Sequence, residues 1–587
     1  MTTPDTITLA INGVATTVAP GTTIMEAADS IGIRIPRLCY HPALSILGAC
    51  RVCVVEMEGA RNLLAACAYP AEEGMKVRTN SPLLRRVRRD VVELILDNHP
   101  KDCQTCSRNM NCELQNLAYE LGVRSRLFEG ERKRFAKDES SPAVIRDPEK
   151  CILCGRCVRV CDEVQGVCNL SQQYRGFKIS VGPAHDQAMM DSVCVHCGQC
   201  AAVCPTAAIL EHNATDAVFE ALNDPAKHVV IQTAPAIRAT AGEGFGFAPG
   251  TPTTGKLVHA LRLMGFARVF DTNVGADLTV IEEAHEFMRR LQTGERLPLL
   301  TSCSPGWINF MEHFYPELIP CASTCRSPMS MVSVLLKTYY AEKQGIDPKS
   351  IFVVAVMPCT AKKFEAGRAE HRTPWGAPYT DAVMTTRELI WAMKTLGVKF
   401  ETLSDAEFDS PLGISSGAAD IFGTTGGVME AALRTAYEKI TGRECPSIDF
   451  AQVRQVEGTR ETELEIGGQT IRVGIANGLN NAKKLLNGVL SGEKTFHIIE
   501  LMACPGGCIG GGGQPYPPPG MHLLNPELLA LRAKALYSID RGKTLRAAHH
   551  NPAIQQVYKD FLGEPNGVKA HQLLHTHYEP KAPRGIR

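Results

Sequence analysis

The sequence predicts a multidomain α+β chain. Several small cysteine-rich domains come first, then a larger α/β domain with parallel sheets flanked by helices. Three observations predict this. The 587 residues are too many for one hydrophobic core. Most of the 23 cysteines cluster before residue 213. Beyond about residue 225, apolar β-rich runs alternate with helical patterns.

Composition removes several function classes. Lys+Arg and Asp+Glu are both 62, so the net charge is zero, which suits neither a nucleic-acid binder nor a polybasic membrane segment. Aromatics are only 6%, too few for base-stacking surfaces. No run of eighteen apolar residues suggests a membrane span. The stretch Met1 to Leu9 lacks a basic region and an apolar region, so no secretory signal is expected. The expectation is a cytoplasmic chain with no nucleic-acid or membrane partner. There, clustered cysteines bind metal more often than they form disulfides.

The elements follow in order. Ile7 to Ile11 and Val14 to Val18 alternate around Asn12-Gly13, a hairpin signal. A helix is expected from Thr23 to Ser30. Cys39, Cys50, Cys53 and Cys67 come next in looser sequence. From Ser81 to about Leu96 the pattern is helical with an Arg-rich face. His99, Cys103, Cys106 and Cys112 follow, then a charged stretch, 129–141, that reads as a linker. Residues 147–213 hold two similar cysteine runs, an internal duplication. Strands are expected at His228–Thr233, Ala267–Asp271, Leu297–Thr301, Ile351–Met357 and Thr495–Met502. Helices are expected at Gly255–Met264, Thr279–Leu291, Pro328–Gln344 and Thr386–Leu396.

Cys151-x2-Cys154-x2-Cys157-x3-Cys161 and Cys194-x2-Cys197-x2-Cys200-x3-Cys204-Pro205 are two full copies of the bacterial ferredoxin run. Three close thiolates wrap three irons of a cube, and the fourth cysteine reaches the other cluster. Cys151, Cys154, Cys157 and Cys204 are therefore assigned to one [4Fe–4S], and Cys194, Cys197, Cys200 and Cys161 to the other. Zinc ribbons are the alternative, but they use two CxxC pairs far apart. Cys39-x10-Cys50-x2-Cys53-x13-Cys67 follows a ubiquitin-like hairpin and helix. It looks like the [2Fe–2S] domain of respiratory complex I and of soluble hydrogenases. His99-x3-Cys103-x2-Cys106-x5-Cys112 resembles the small [4Fe–4S] domain of the same two families, with one His and three Cys ligands. Fifteen cysteines and one histidine are thereby placed on four accessory clusters.

Three further motifs each follow an apolar strand: Thr301-Ser302-Cys303-Ser304-Pro305-Gly306-Trp307, Met357-Pro358-Cys359-Thr360-Ala361-Lys362-Lys363-Phe364-Glu365, and Glu500-Leu501-Met502-Ala503-Cys504-Pro505-Gly506-Gly507-Cys508 running into Gly510–Gly513. In α/β sheets ligands gather at the carboxyl ends of strands, so these cysteines are expected to converge on one buried metal centre. The glycines are expected to let the backbone approach a bulky cofactor. On these motifs the chain resembles the catalytic subunit of [FeFe]-hydrogenases, and the likeness runs from Ile7 to about Tyr578.

The resemblance implies reversible interconversion of dihydrogen with two protons and two electrons. Its cofactor is an H-cluster, a [4Fe–4S] cube joined to a two-iron unit that carries CO, cyanide and a bridging dithiolate amine. By motif position Cys508 bridges the two parts, and Cys359 and Cys504 hold the cube. Many relatives carry two adjacent cysteines where this chain has Cys303 and Ser304. Position by position the ligand falls at Ser304 and the proton relay at Cys303. Serine oxygen is a hard ligand for iron–sulfur. Either the cube accepts Ser304, or Cys303 ligates and Ser304 relays, or ligation is incomplete. The resemblance also implies a proton path of Arg290, Glu286, Ser323 and Glu283 ending at Cys303, whose carboxylates, hydroxyl and thiol can pass a proton at hydrogen-bond distance. Lys362 matches a lysine that hydrogen-bonds a cyanide. Pro235, Ala236, Met357, Phe422 and Met502 match the pocket wall, positions that ordinary core packing would also fill. Cys168, Cys321, Cys325 and Cys445 receive no role, although Cys325 lies close enough to Ser323 in sequence to stand in as a ligand.

The expected division is 1–80 for the [2Fe–2S] domain, 81–138 for the His-ligated [4Fe–4S] domain, 139–213 for the ferredoxin-like 2[4Fe–4S] domain and 214–587 for the catalytic domain. The cofactors are then one [2Fe–2S], three accessory [4Fe–4S] and the H-cluster. No nucleotide fingerprint follows any strand. The resemblance is to the subunit of NAD(P)-linked or electron-bifurcating assemblies, so the expected partners are flavin- and NAD(P)-binding iron–sulfur subunits. Ferredoxin is the runner-up acceptor, and maturation proteins would insert the H-cluster. A non-catalytic electron wire and a hydrogen sensor are the competing functions. The three motifs argue against the wire, and Ser304 keeps the sensor open.

Overall fold

Asn12 and Gly13 both adopt positive φ, 52° and 84°, the geometry a two-residue hairpin turn requires. The strands Ile7–Ile11 and Val14–Val18 accordingly pair from Ile7↔Val18 to Ile11↔Val14. In the computed structural model, which describes residues 6–124, 130–443, 445, 449–454, 458–518 and 521–581, this hairpin edges a mixed five-stranded sheet. Its strand Ile7–Ile11 pairs in parallel with Lys76–Arg78. The helix Ile24–Ser30 opens with a capping box in which Thr23 and Glu26 satisfy each other's backbone N–H. Its buried face (Ile24, Met25, Ala27, Ala28) packs on Leu9, Ile11 and Val77 of the sheet.

Ser81 caps the next helix, Pro82–Asn98, and Pro82 sits in its first turn, where a missing N–H costs nothing. The helix ends at His99. Arg88 is buried and donates to Val54 O at 2.6 Å, which ties this helix to the preceding sheet. Of the charged stretch 129–141, residue 129 lies outside the described residues. The remainder is mostly exposed coil, but Asp138 bridges to Arg146 and Ser141 is buried.

The duplicated cysteine runs have duplicated backbones. Leu153 and His196 hold φ of 56° and 59°, and Gly155 and Gly198 hold 68° and 71°, at matching offsets. Each glycine opens a short helix, Arg156–Arg159 and Gln199–Val203. Strands Val144–Arg146 and Ile209–Glu211 close the unit by antiparallel pairing.

The C-terminal half contains two four-stranded sheets. The first has the order Arg268–Asp271, His228–Thr233, Ile351–Met357, Ala382–Thr385, all parallel. The second has the order Leu299–Leu300, Ile498–Met502, Gln469–Asn477, Thr459–Ile466. Its last strand is antiparallel, the product of a hairpin turning at Gly467-Gly468. Two expectations are corrected here. The sheets are not purely parallel, because that polar, exposed hairpin edge lacked the apolar run that marked the other strands. The strand expected over Leu297–Thr301 shortens to Leu299–Leu300, where Pro298 has no N–H to give a ladder.

The helix expected at Thr279–Leu291 is longer, Asn273–Thr293. Its first turns carry polar residues that are buried and paired: Asn273 donates to Asp420 at 2.7 Å, and Asp277 accepts from Ser416 N at 2.9 Å and Asn551 at 2.7 Å. Arg238 joins the same polar centre, 2.7 Å from Asp271 and 2.6 Å from Asp420, with all three nearly fully buried. Arg238→Met would leave two carboxylates facing each other with one countercharge, Lys543, on Asp420. The expected cost is about 3–5 kcal/mol, read as a lowered Tm of the variant.

Candidate functional site

The first sheet delivers Cys359 at the end of Ile351–Met357. The second delivers Cys303 and Ser304 after Leu299–Leu300, and Cys504 after Ile498–Met502. These strand ends meet at one cavity lined by Cys303, Ser304, Cys359, Cys504 and Cys508. Pro235, Met357, Phe422 and Met502 form its apolar wall, and Lys362 adds a cation. Cys504 is buried, while Cys303, Cys359 and Cys508 keep part of their surface open.

Burial raises every one of these thiols. It pushes Cys508 up to about 12, with the charge of Cys359 next in importance, and it raises Cys359 and Cys504 as well. Such a set of soft donors, which cannot share negative charge without a cation, fits an iron–sulfur group.

Ser304 Oγ accepts the Ala503 amide at 3.2 Å and faces the same cavity. Lys362 Nζ bonds Glu365 at 2.7 Å and Cys303 O at 3.2 Å. Ala236 does not line the cavity. It packs instead with Ile509, Leu529 and Leu536, because the tight turn Pro235–Ala239 aims Pro235 and Ala236 in different directions. Cys325 does not line it either, and lies buried near Glu286 and His575. Gly507 and Gly511 of the third motif line the cavity. A Cβ on Gly510, Gly511 or Gly512 would stand 2.0–2.3 Å from the carbonyl of Pro505, Pro358 or Cys197. They serve backbone-to-backbone packing around the cavity.

Three residues of the expected proton path, Arg290, Glu286 and Ser323, are hydrogen-bonded in series. Arg290 donates to Glu286 at 2.6 Å, and Ser323 Oγ donates to the other Glu286 oxygen at 3.0 Å. Ser323 opposes the rise in the Glu283 pKa. Glu283 is pushed up to about 8, chiefly by burial and then by Glu286, and its Oε1 has no partner among the described residues. Cys303 is raised well above a free thiol, by burial and then by the Glu283 charge. Burial thus favours the neutral forms of both Glu283 and Cys303, an acid and a thiol of the kind that can exchange protons.

Three sets of accessory cysteines gather together. Cys151, Cys154, Cys157 and Cys204 line one cavity, and Cys161, Cys194, Cys197 and Cys200 line a second. Cys53 and Cys67 sulfurs lie 3.4 Å apart, and the Cys50 amide donates to Cys39 Sγ at 3.5 Å. His99 is buried, its Nδ1 has no partner among the described residues, and burial pushes its pKa down to about 4. It is a neutral imidazole available to a metal. Cys106 and Cys112 are partly buried, whereas Cys103 is exposed.

Two residues escaped the sequence reading. Glu500, an acid inside the apolar strand Ile498–Met502, accepts from Gly426 N at 2.5 Å and Met429 N at 2.8 Å. It anchors the start of the helix Gly427–Thr441 behind the cavity, and burial pushes it up to about 7. Its place in an otherwise apolar run was the available signal. Gln199 lies between two cysteines of the second ferredoxin run. It donates to Gly510 O at 2.9 Å and bonds Cys504. It joins that run to the cavity, and nothing in local sequence marks it. Cys197 itself lines both the second accessory cavity and the catalytic one.

Five family models match in order along the chain. They are a 2Fe-2S iron-sulfur cluster binding domain (residues 4–82), an NADH-ubiquinone oxidoreductase-G iron-sulfur binding region (88–126), a 4Fe-4S dicluster domain (150–208), the iron only hydrogenase large subunit, C-terminal domain (227–512) and the iron hydrogenase small subunit (526–581). The NADP-reducing hydrogenase subunit HndD of Solidesulfovibrio fructosivorans is 48% identical over 583 residues, covering 97% of this chain and 98% of that protein. Iron hydrogenase 1 of Clostridium pasteurianum is 39% identical over 574 residues, covering 97% and 100%. The structure of an apo variant of [FeFe]-hydrogenase HydA1 from Chlamydomonas reinhardtii superposes with a TM-score of 0.56 at 42% identity, over 62% of this chain and 98% of that one. Among the described residues no helix is long and apolar enough to cross a membrane. The cysteine-bearing strand ends at the cavity lie within the matched large-subunit domain, and the likeness to named hydrogenases runs nearly end to end; the chain belongs to the iron-only ([FeFe]) hydrogenases.

Proposed function

We propose that this hydrogenase works at the cavity between the two sheets, with an H-cluster held by Cys359, Cys504 and Cys508 and by Ser304 at the fourth corner of the cube. The observation that carries the reading is the convergence of those four side chains on one cavity. When bound, the H-cluster supplies the open iron at which dihydrogen is cleaved or formed. The chain's own residues do the rest. Cys303 passes a proton between the cavity and Glu283, Ser323 and Glu286 carry it toward the surface, and Arg290 holds Glu286 in place. Lys362 holds positive charge at the cavity wall and is kept in place by Glu365. Pro235, Met357, Phe422 and Met502 exclude water, which strengthens every interaction inside.

The electrons leave through the cluster beside Cys197 and then through the other accessory sites. The ligand sets are those of the four cysteine groups, with His99 joining Cys103, Cys106 and Cys112. An imidazole in place of a thiolate carries less negative charge and raises that cluster's potential. The domain limits are proposed at 80, 138 and 213. The nearly full-length likeness to an NADP-reducing hydrogenase subunit supports electron delivery to flavin- and NAD(P)-binding iron–sulfur subunits in a heteromeric, cytoplasmic assembly, with ferredoxin as the second acceptor.

The test uses the matured chain under hydrogen. Alone it should reduce a viologen dye and its own accessory clusters, seen by EPR, and form no NADPH. With a flavin- and NAD(P)-binding iron–sulfur subunit it should form NADPH. Direct NADP reduction by the isolated chain would overturn the proposed division of labour.

A further inference from the structure

A second cluster of ligating side chains lies outside the hydrogen-activating site. Glu438, near the end of the helix Gly427–Thr441, receives two imidazoles on one oxygen: His549 Nε2 at 2.6 Å and His550 Nε2 at 3.1 Å from Oε2. The ligating atoms all lie within 4.8 Å of one another. In a tetrahedral zinc site, bonds of about 2.0–2.1 Å put ligand atoms about 3.3 Å apart, so the three need only small shifts to close on an ion.

The ring orientation is fixed from behind. His549 Nδ1 lies 3.0 Å from the hydroxyl of Thr435, one turn earlier on the same helix, and Gln555 holds the His549 carbonyl at 3.0 Å. Such an outer hydrogen bond is what sets the tautomer of metal-ligating histidines. Each nitrogen of His549 thus has a fixed partner, Nδ1 the Thr435 hydroxyl and Nε2 the Glu438 carboxylate at 2.6 Å, and a bound cation would take the place of the proton that Nε2 and Oε2 share.

His550 is about half exposed, 52%, which leaves an entry path and room for a water ligand.

We propose that Glu438, His549 and His550 form a binding site for a divalent cation of the zinc class. Two nitrogens and one oxygen suit zinc and not the all-oxygen preference of calcium or magnesium. The site clips together two parts of the catalytic half. Glu438 belongs to the segment matched by the large-subunit domain, and His549 and His550 belong to the segment matched by the small subunit.

The test uses cluster-loaded holoenzyme incubated with Zn²⁺ alone and desalted, with zinc and iron counted by mass spectrometry. Wild type should retain about one more zinc per chain than His549→Ala/His550→Ala, at equal iron. Glu438→Gln, which can still accept both histidine N–H groups, should lose the same zinc without loss of fold. Zinc should raise the Tm of wild type and of neither variant, and zinc-edge absorption should show imidazole scattering in wild type. Equal zinc in all three proteins, or none in wild type, would overturn the proposal and leave a metal-free hydrogen-bonded trio.

Discussion

Glu283→Gln should leave the iron content of the matured enzyme unchanged and cut hydrogen turnover by about 10²–10⁴-fold, the range a positioned proton-transfer group supplies. Glu283 interacts electrostatically with Ser323 and raises the Cys303 thiol. A glutamine has the same shape and can keep the serine contact, yet it cannot take up and release a proton. Glu283→Asp, which keeps the carboxyl on a shorter arm, should recover part of the loss. A purely structural role predicts the reverse order, with Gln milder than Asp. Stability adds an independent readout. The folded chain binds this proton up to about pH 8, whereas an ordinary glutamate releases it near 4.5. The resulting stabilisation is present below about 4.5 and is lost as pH rises through about 8. The Tm of wild type should therefore fall relative to that of Glu283→Gln across that window. Parallel Tm curves would remove Glu283 as a buried, protonated acid.

Cys508→Ala should abolish turnover while the accessory clusters remain. Cys508 stands in the catalytic cavity with Cys359 and Cys504, and none of the accessory cavities includes it. Removing its sulfur takes away the atom expected to join the two halves of the H-cluster. The accessory thiols are untouched, so roughly the fourteen irons implied by their cluster types should persist. Infrared bands of bound CO and cyanide should disappear from the variant. Persistence of those bands with activity would move the bridge to another residue.

The sequence disclosed chemistry more readily than architecture. Repeating cysteine spacing is local, because three ligands of one cube come from a single turn of chain. That is why the ferredoxin runs were legible and why Leu153 and His196, at matching offsets, share a backbone conformation. Buried strands such as Ile351–Met357 were legible for a similar reason, being continuous apolar runs bounded by a motif. The hairpin Thr459–Asn477 was not, since its outer strand alternates charged residues on an exposed edge. Contacts between distant segments were invisible. Gln199 meets Gly510 across more than three hundred residues, and Glu438 meets His549 across more than one hundred. The early start of the helix Asn273–Thr293 was missed because its polar first turns read as surface until Asp420, Ser416 and Asn551 were seen to satisfy them.

The most direct test of the account is hydrogen-dependent dye reduction by the anaerobically purified chain, produced together with the H-cluster maturation machinery. The account predicts robust turnover, with Ser304 serving at the fourth corner of the cube and Cys303 free to relay protons. A chain carrying its full accessory iron that reduces no dye under hydrogen would contradict it, and would leave an electron wire or a hydrogen sensor in its place.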